Sequence, residues 1–368
     1  MAEKILRAIR LTQEGLRERS SATWIVAFSG GKDSTALLKI LCAALRGVPE
    51  FRGQVHVLYC DTGVENPVLD EYVVRLMERV RDELSRLNLP ISVNVIRAPV
   101  EKRFFVKIAG RGYPPPTNAF RWCTKDLRIL PVSDFIDRVA LQGDVVVALG
   151  SRLDESEQRR RSIDRFGGGH WQTQREAKRK YDIFLPLLDF DLGAVWDAVF
   201  SLGVPDSINA AELEKLYRGA SGECPIIKHV QANPCAKVRF GCWTCTVVRK
   251  DKSAENLIAE GHSLLLPYLN VRNWLSEYRN DLSTRWPIRR SGVNAPGPFT
   301  LKARIKILNV LRDLEATTGR FQLAPDELGA MRRLMLDDLD KEREIFGRAS
   351  ASHRGILKAT RVRPRHVE

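Results

Sequence analysis

Residues 24–40, WIVAFSGGKDSTALLKI, constrain the fold more than any other stretch. Residues 24–28 are uncharged and have the length of a short buried strand, and over 35–45 apolar residues recur at helical spacing. Between them stand Ser29, Gly30, Gly31, Lys32, Asp33 and Ser34. A glycine pair lets the backbone turn with no Cβ in the way, so that amide N–H groups and the helix N-terminus converge on one point, and that point favours phosphate. The longer spacing and terminal Gly-Lys-Ser/Thr of a Walker A loop are missing, which argues against ordinary γ-phosphate hydrolysis.

Around this unit the pattern repeats. Residues 2–19 read as a helix. Strands are expected at 54–60, 91–96 and 144–150, and helices at 66–87, around 100–109 and at 124–141, the last interrupted at Pro131. Nearly uncharged strands alternating with helices predict an α/β fold, a parallel sheet with helices on both faces. Such sheets bind ligands at the carboxyl ends of their strands, where this chain carries its polar signatures. After the second strand comes Asp61-Thr62-Gly63-Val64-Glu65, with Asp61 and Gly63 placed as a nucleotide wall and Glu65 either touching ligand or capping the next helix. After the fourth come Gly150, Ser151 and Arg152, whose guanidinium suits phosphate or sulfate oxygens and has Glu155 at i+3 to hold it. Arg159, Arg160 and Arg161 suit a backbone polyanion or a solvated face.

Beyond residue 150 the composition shifts. Residues 151–180 hold nine Arg or Lys against five acids and are expected to form a short helix and a mobile loop. A strand-like run at 184–188 and a helix near 191–202 follow, then a Pro-, Gly- and Cys-rich stretch at 204–247 and helical patterns from 254 to 346. Residues 347–368 are basic, offer little to pack and are expected to be disordered. The domain reading is 1–203 for the nucleotide domain, 204–253 for a cysteine-rich segment, 254–346 for a helical region and 347–368 for the tail.

Over 368 residues Lys and Arg exceed Asp and Glu by 59 − 45 = 14, which points to a polyanionic partner. No apolar run is long enough to span a membrane and no signal-peptide core is visible, so a cytoplasmic protein is expected. In a reducing compartment the seven cysteines are read as metal or redox chemistry and not as a disulfide framework. Cys235, Cys242 and Cys245 lie in NPCAKVRFGCWTC, with Cys123 far upstream; thiolates at this spacing suit zinc or an iron–sulfur cluster. Cys224 is a fifth candidate ligand or a sulfur-carrying thiol, whereas Cys42 and Cys60 read as core residues.

SGGKDS at 29–34 resembles the PP-loop of ATP pyrophosphatases, which split ATP to AMP and pyrophosphate. That resemblance implies that Ser29, Gly30, Gly31 and Ser34 hold pyrophosphate, that Lys32 neutralises developing charge, and that Asp33 positions Mg²⁺ or a loop amide. With DTGVE at 61–65, WCTKDLR at 122–128, GSRLDESEQR at 150–159, RFGCWTCTVVRKDKS at 239–253 and GPFTLKARIKIL at 297–308, the chain is similar to the DndC/SspD-type proteins of bacterial DNA phosphorothioation, relatives of phosphoadenosine phosphosulfate (PAPS) reductase. The resemblance implies an ATP pyrophosphatase with a [4Fe–4S] cluster on Cys123, Cys235, Cys242 and Cys245, acting on DNA in bacterial defence with a cysteine desulfurase and other phosphorothioation proteins as partners. PAPS or adenylylsulfate reduction, tRNA thiolation, and a non-catalytic DNA-binding scaffold with a zinc knot are the competing readings.

Overall fold

Alternating apolar strands and amphipathic helices lead the chain into one six-stranded sheet, ordered β3-β2-β1-β4-β6-β5, in the computed structural model, which describes residues 2–165, 167–176, 179–221 and 240–346. The first elements are α1 (Ala2–Glu18), β1 (Thr23–Phe28), α2 (Lys32–Leu45), β2 (Val55–Asp61), α3 (Pro67–Arg86) and β3 (Ile91–Arg97). Next come a helical turn α4 (Trp122–Thr124), α5 (Leu130–Val139), β4 (Val145–Ala148), α6 (Glu157–Arg165), β5 (Trp171–Glu176) and β6 (Arg179–Phe184). The remainder is helical: α7 (Leu192–Ser201), α8 (Ala210–Ser221), α9 (Lys252–Ala259), α10 (Leu265–Tyr278), α11 (Leu301–Thr318), α12 (Pro325–Asp337) and α13 (Leu339–Phe346).

The period-2 alternation of β1 decides what covers each face. Trp24, Val26 and Phe28 pack with α1, α2, α3 and α7, while Ile25 joins Val145 and Val147 against Phe135 and Ile136 of α5. All strand pairings are parallel except β5 with β6. The register sets Phe28 beside Tyr59 and Val26 beside Ala148, so the loops after β1, β2 and β4 emerge together at one edge. Residues 98–127, between β3 and β4, pack elsewhere: Phe104, Phe105, Ile108 and Trp122 share a core with Trp243, Tyr268, Phe299 and the helices from α10 to α12.

Three local expectations give way. Residues 151–180 contain β5 and the start of β6 in place of a mobile loop, because Trp171 stacks on Phe184 at 4.4 Å and meets Trp24 at 6.0 Å; that apolar contact draws polar residues into an edge hairpin. The strand expected at 184–188 lies earlier and ends at Phe184. Within the Pro- and Gly-rich stretch α8 forms, burying Leu213, Tyr217 and Ala220 at i, i+4 and i+7. The break near Pro131 takes a definite form: a π-turn over Lys125–Ile129 precedes α5, and Pro131 sits in the first turn of α5, where its missing N–H costs nothing. The basic tail at 347–368, Cys224 and Cys235 lie outside the described residues.

Candidate active site

β1 ends at Phe28 and the backbone turns through Gly30, at φ +72°, where an added Cβ would lie 2.3 Å from Val73 Cγ2 on α3. Only glycine fits there. Gly31 is the N-cap of α2, and serines close the loop around it: the Ser29 amide donates to Ser34 Oγ at 3.2 Å, and Ser34 Oγ donates to the Gly31 carbonyl at 2.9 Å. Gly150, after β4, passes under this loop with room for no side chain, since its Cβ would stand 2.8 Å from the Asp33 carbonyl oxygen.

Asp33 is the electrostatic centre. Its Oδ2 accepts from Lys32 Nζ at 2.8 Å and its Oδ1 from Arg152 Nε at 2.6 Å. Arg152 is 4 % exposed and also donates through Nη1 to the Phe190 carbonyl at 3.3 Å. The expected i+3 support from Glu155 is replaced by Asp33, with Asp154 at 3.7 Å, because Arg152 is extended (φ −132°, ψ 149°) and no α-helical turn joins it to Glu155. The structure thus brings Ser29, Gly30, Gly31, Lys32, Asp33, Ser34, Gly150 and Arg152 into one cluster. It adds Tyr217, whose hydroxyl accepts from the Lys32 amide at 3.3 Å; nothing in the local sequence marks that residue.

Beside this cluster, Asp61 Oδ1 accepts from the Gly63 amide at 2.6 Å and Oδ2 pairs with Arg97 Nε at 3.1 Å, Arg97 being the register neighbour of Asp61 on β3. Gly63, at φ +72°, leaves space for that guanidinium. Glu65 does not cap α3. Asn66 takes that place, accepting from the Val68 amide at 3.0 Å, while Glu65 Oε1 accepts from Thr62 Oγ1 at 2.8 Å and pairs with Arg128 at 3.3 Å.

Asp61, Gly63 and Glu65 form one end of a cleft of about 580 Å³ between α3, β3 and the helical region, whose other walls include Asp70, Trp243 and Tyr268. None of residues 29–34 lines it. Burial, with repulsion from Asp61 and Glu65, pushes the Asp70 carboxyl up to about 6. The folded chain therefore holds this proton more tightly than an unfolded chain near 3.8, and stability contributed here falls as pH rises from about 4 to about 6. Asp70→Asn is expected to stabilise the protein by roughly 1 kcal/mol at pH 7, after allowance for partial exposure, and by nothing at pH 4. Urea unfolding at the two pH values checks this; an equal gain at both would assign the effect to something other than the charge.

The cysteine turn joins the loop after β2. Cys242 pairs as an isolated bridge with Glu65, the Trp243 amide donates to the Val64 carbonyl at 3.0 Å, and the Cys245 amide donates to the Cys242 carbonyl at 2.9 Å. Cys242 Sγ lies 3.9 Å from both Thr62 Oγ1 and Arg128 Nη2. Burial, with Glu65 adding, pushes the Cys242 thiol up to about 12; burial also raises Cys123, which feels the charge of Cys245. Cys42 is wholly buried on α2, and Cys60 donates to the Leu127 carbonyl at 3.2 Å. Among the described residues no three Cys, His, Asp or Glu side chains close on a point as metal ligands. Arg160 and Arg161 are exposed on α6, where Arg161 pairs with Glu157 at 3.2 Å; the Arg159 side chain lies outside the described part.

A mostly parallel sheet with a glycine turn feeding a helix at its carboxyl edge is the arrangement of a nucleotide-utilising domain, and the family match makes it one of the PP-loop class. The sequence profile of the phosphoadenosine phosphosulfate reductase domain matches residues 23–248, and the chain belongs to that family. Among solved structures it is similar to Candida glabrata FMN adenylyltransferase with FMN and the ATP analogue AMPCPP, at 14% identity and a TM-score of 0.34, over 63% of this chain and 66% of that one. The same enzyme with FAD and inorganic pyrophosphate gives 15% identity and a TM-score of 0.31, over 54% of this chain and 56% of that one. In these two matches the chain spans less than two thirds of that enzyme's length, and likeness at this level says nothing of its activity. No curated protein matches the sequence. None of the described helices is long and apolar enough to cross a membrane.

Proposed function

We propose that the protein is an ATP pyrophosphatase that activates a DNA backbone phosphate for sulfur incorporation. One observation carries the reading: residues 61–65, at the carboxyl edge of the sheet, are hydrogen-bonded directly to the cysteine turn at 242–245, which in this reading puts nucleotide and thiol chemistry on one loop. In this reading a DNA phosphate oxygen attacks the α-phosphorus of Mg²⁺-ATP and pyrophosphate leaves from the side of the loop. Sulfide, released when a thiol reductant cleaves the persulfide of a partner cysteine desulfurase and is itself oxidised to a disulfide, then attacks the DNA phosphorus, forming the P–S bond as the P–O bond to AMP breaks.

Lys32 and the serine-closed loop take up the negative charge that grows on the departing pyrophosphate, and Arg152 fixes Asp33 so that the loop is preorganised. Cys123, Cys242 and Cys245 are soft donors close enough to feel one another's charge; in this reading they and Cys235, which lies outside the described residues, would hold a [4Fe–4S] cluster, and that cluster would supply electron transfer or sulfur relay. The excess of 14 basic residues suits DNA through phosphate neutralisation, with Arg159, Arg160 and Arg161 as contacts.

The experiment is pyrophosphate release from ATP by anaerobically prepared protein, together with mass spectrometry for phosphorothioate dinucleotides in DNA from cells with and without the gene. Absence of both overturns the reading. The family match favours a second reading, PAPS reduction, which predicts sulfite when PAPS and a thiol reductant are supplied. Cys242→Ser is expected to remove iron and brown colour from anaerobic preparations; unchanged iron content takes Cys242 out of the ligand set.

A further inference from the structure

The first amide of a helix at a phosphate loop is one of the donors an anion uses, because it has no partner within the helix. Here the amide of Lys32, first residue of α2, donates to the hydroxyl of Tyr217, which reaches across from α8. The same hydroxyl stands 2.9 Å from where a Cβ on Gly31 would be, and Lys32 Nζ lies 5.1 Å from the centre of the tyrosine ring. Tyr217 is 6 % exposed and held edge-on to Trp196 and Phe240, at 5.6 and 5.1 Å between ring centres, so its oxygen is aimed by packing and not by chance rotation.

A hydroxyl oxygen held against a helix-start amide lies within one hydrogen bond of where a phosphoryl oxygen binds. We propose that Tyr217 is a substrate-contacting residue of this loop: when the pyrophosphoryl group enters, the Lys32 amide donates to one of its oxygens and the Tyr217 hydroxyl, now a donor, bonds the same group from the α8 side. The inference rests on the phosphate reading of the loop and adds to it a ligand from a helix 185 residues away in sequence. It also gives the bulk of the side chain a purpose, since the ring brings the hydroxyl to the loop while presenting its face to the ammonium of Lys32.

The test is titration calorimetry of the full chain with magnesium pyrophosphate, comparing wild type, Tyr217→Phe and Lys32→Ala, with thermal unfolding of each. Phenylalanine keeps the ring contacts to Trp196 and Phe240, so Tyr217→Phe is expected to melt with the wild type and bind pyrophosphate about tenfold more weakly, the effect of one hydrogen bond to a charged group. If wild type binds, Lys32→Ala does not, and Tyr217→Phe binds as well as or better than wild type, the tyrosine assignment is overturned while the loop reading stands. If wild type fails to bind pyrophosphate, the loop reading falls and the tyrosine with it.

Discussion

Asp33→Ala and Lys32→Ala are expected to damage the protein in different ways, although the two residues adjoin and touch. Lysine 32 and Arg152 are both buried, and a single carboxylate lies between them, at 2.8 Å from one and 2.6 Å from the other. Removing that carboxylate leaves two cations facing each other out of water, and breaking such a network costs about 3 kcal/mol or more. Removing the lysine leaves the Arg152–Asp33 pair and its bond to Phe190 in place, so stability falls by no more than about 1 kcal/mol. The activity losses run the other way in kind. With Lys32→Ala the loop keeps its shape but loses the charge that meets the departing pyrophosphate, an electrostatic contribution worth roughly 10²- to 10³-fold in rate. Urea unfolding and pyrophosphate release on both variants separate the two effects. Equal stability of the two would mean that Asp33 does not hold the cations together.

That contrast could not be read from the chain, and the reason is local against non-local determination. The strand, the glycine turn and the start of α2 are legible because each depends on residues within a few positions, and the glycine pair marks a turn that other residues could not make. Arg152 was legible as a residue at the mouth of the sheet but not as the partner of Asp33. The pairing spans 119 residues and arises because β4 lies beside β1 in the sheet. Asp61 and Arg97 meet for the same reason, through the register of β2 against β3. The hairpin of β5 and β6 was missed because its strand character comes from Trp171 lying on Phe184 and not from alternation along a polar segment. Helix α8 was hidden differently. Its spacing of Leu213, Tyr217 and Ala220 is present in the sequence, but the glycines, prolines and cysteines around it dominate the composition.

The largest effect on stability is expected far from the loop, at Asp338. Its carboxylate is wholly buried and accepts from Arg304 Nη1 at 2.8 Å and from Arg290 Nη1 at 2.6 Å, while Arg304 reaches on to the carbonyls of Phe299 at 2.8 Å and Gly110 at 3.0 Å. These contacts tie the start of α11 and the end of α12 to the segment after β3, so one carboxylate helps hold that segment against the helical region. Burial alone would raise its pKa, but the bonds from Arg290 and Arg304 outweigh burial and hold it below the usual carboxylate value of 3.8. The sign follows: this stabilisation is complete above about pH 4 and is lost as pH falls through the lower, folded-state value. Asp338→Ala leaves Arg304 buried without its ion-pair partner and is expected to cost about 3 to 5 kcal/mol. The double variant Arg304→Met, Asp338→Leu removes the buried pair, at the cost of the Arg304 bonds to the Phe299 and Gly110 carbonyls and with Arg290, which is partly exposed, left to turn to water, and is expected to recover part of that loss. Thermal and urea unfolding of the single and double variants decide between a charge network and simple packing: if the double variant is as unstable as the single, the site depends on shape and the ion pair is incidental.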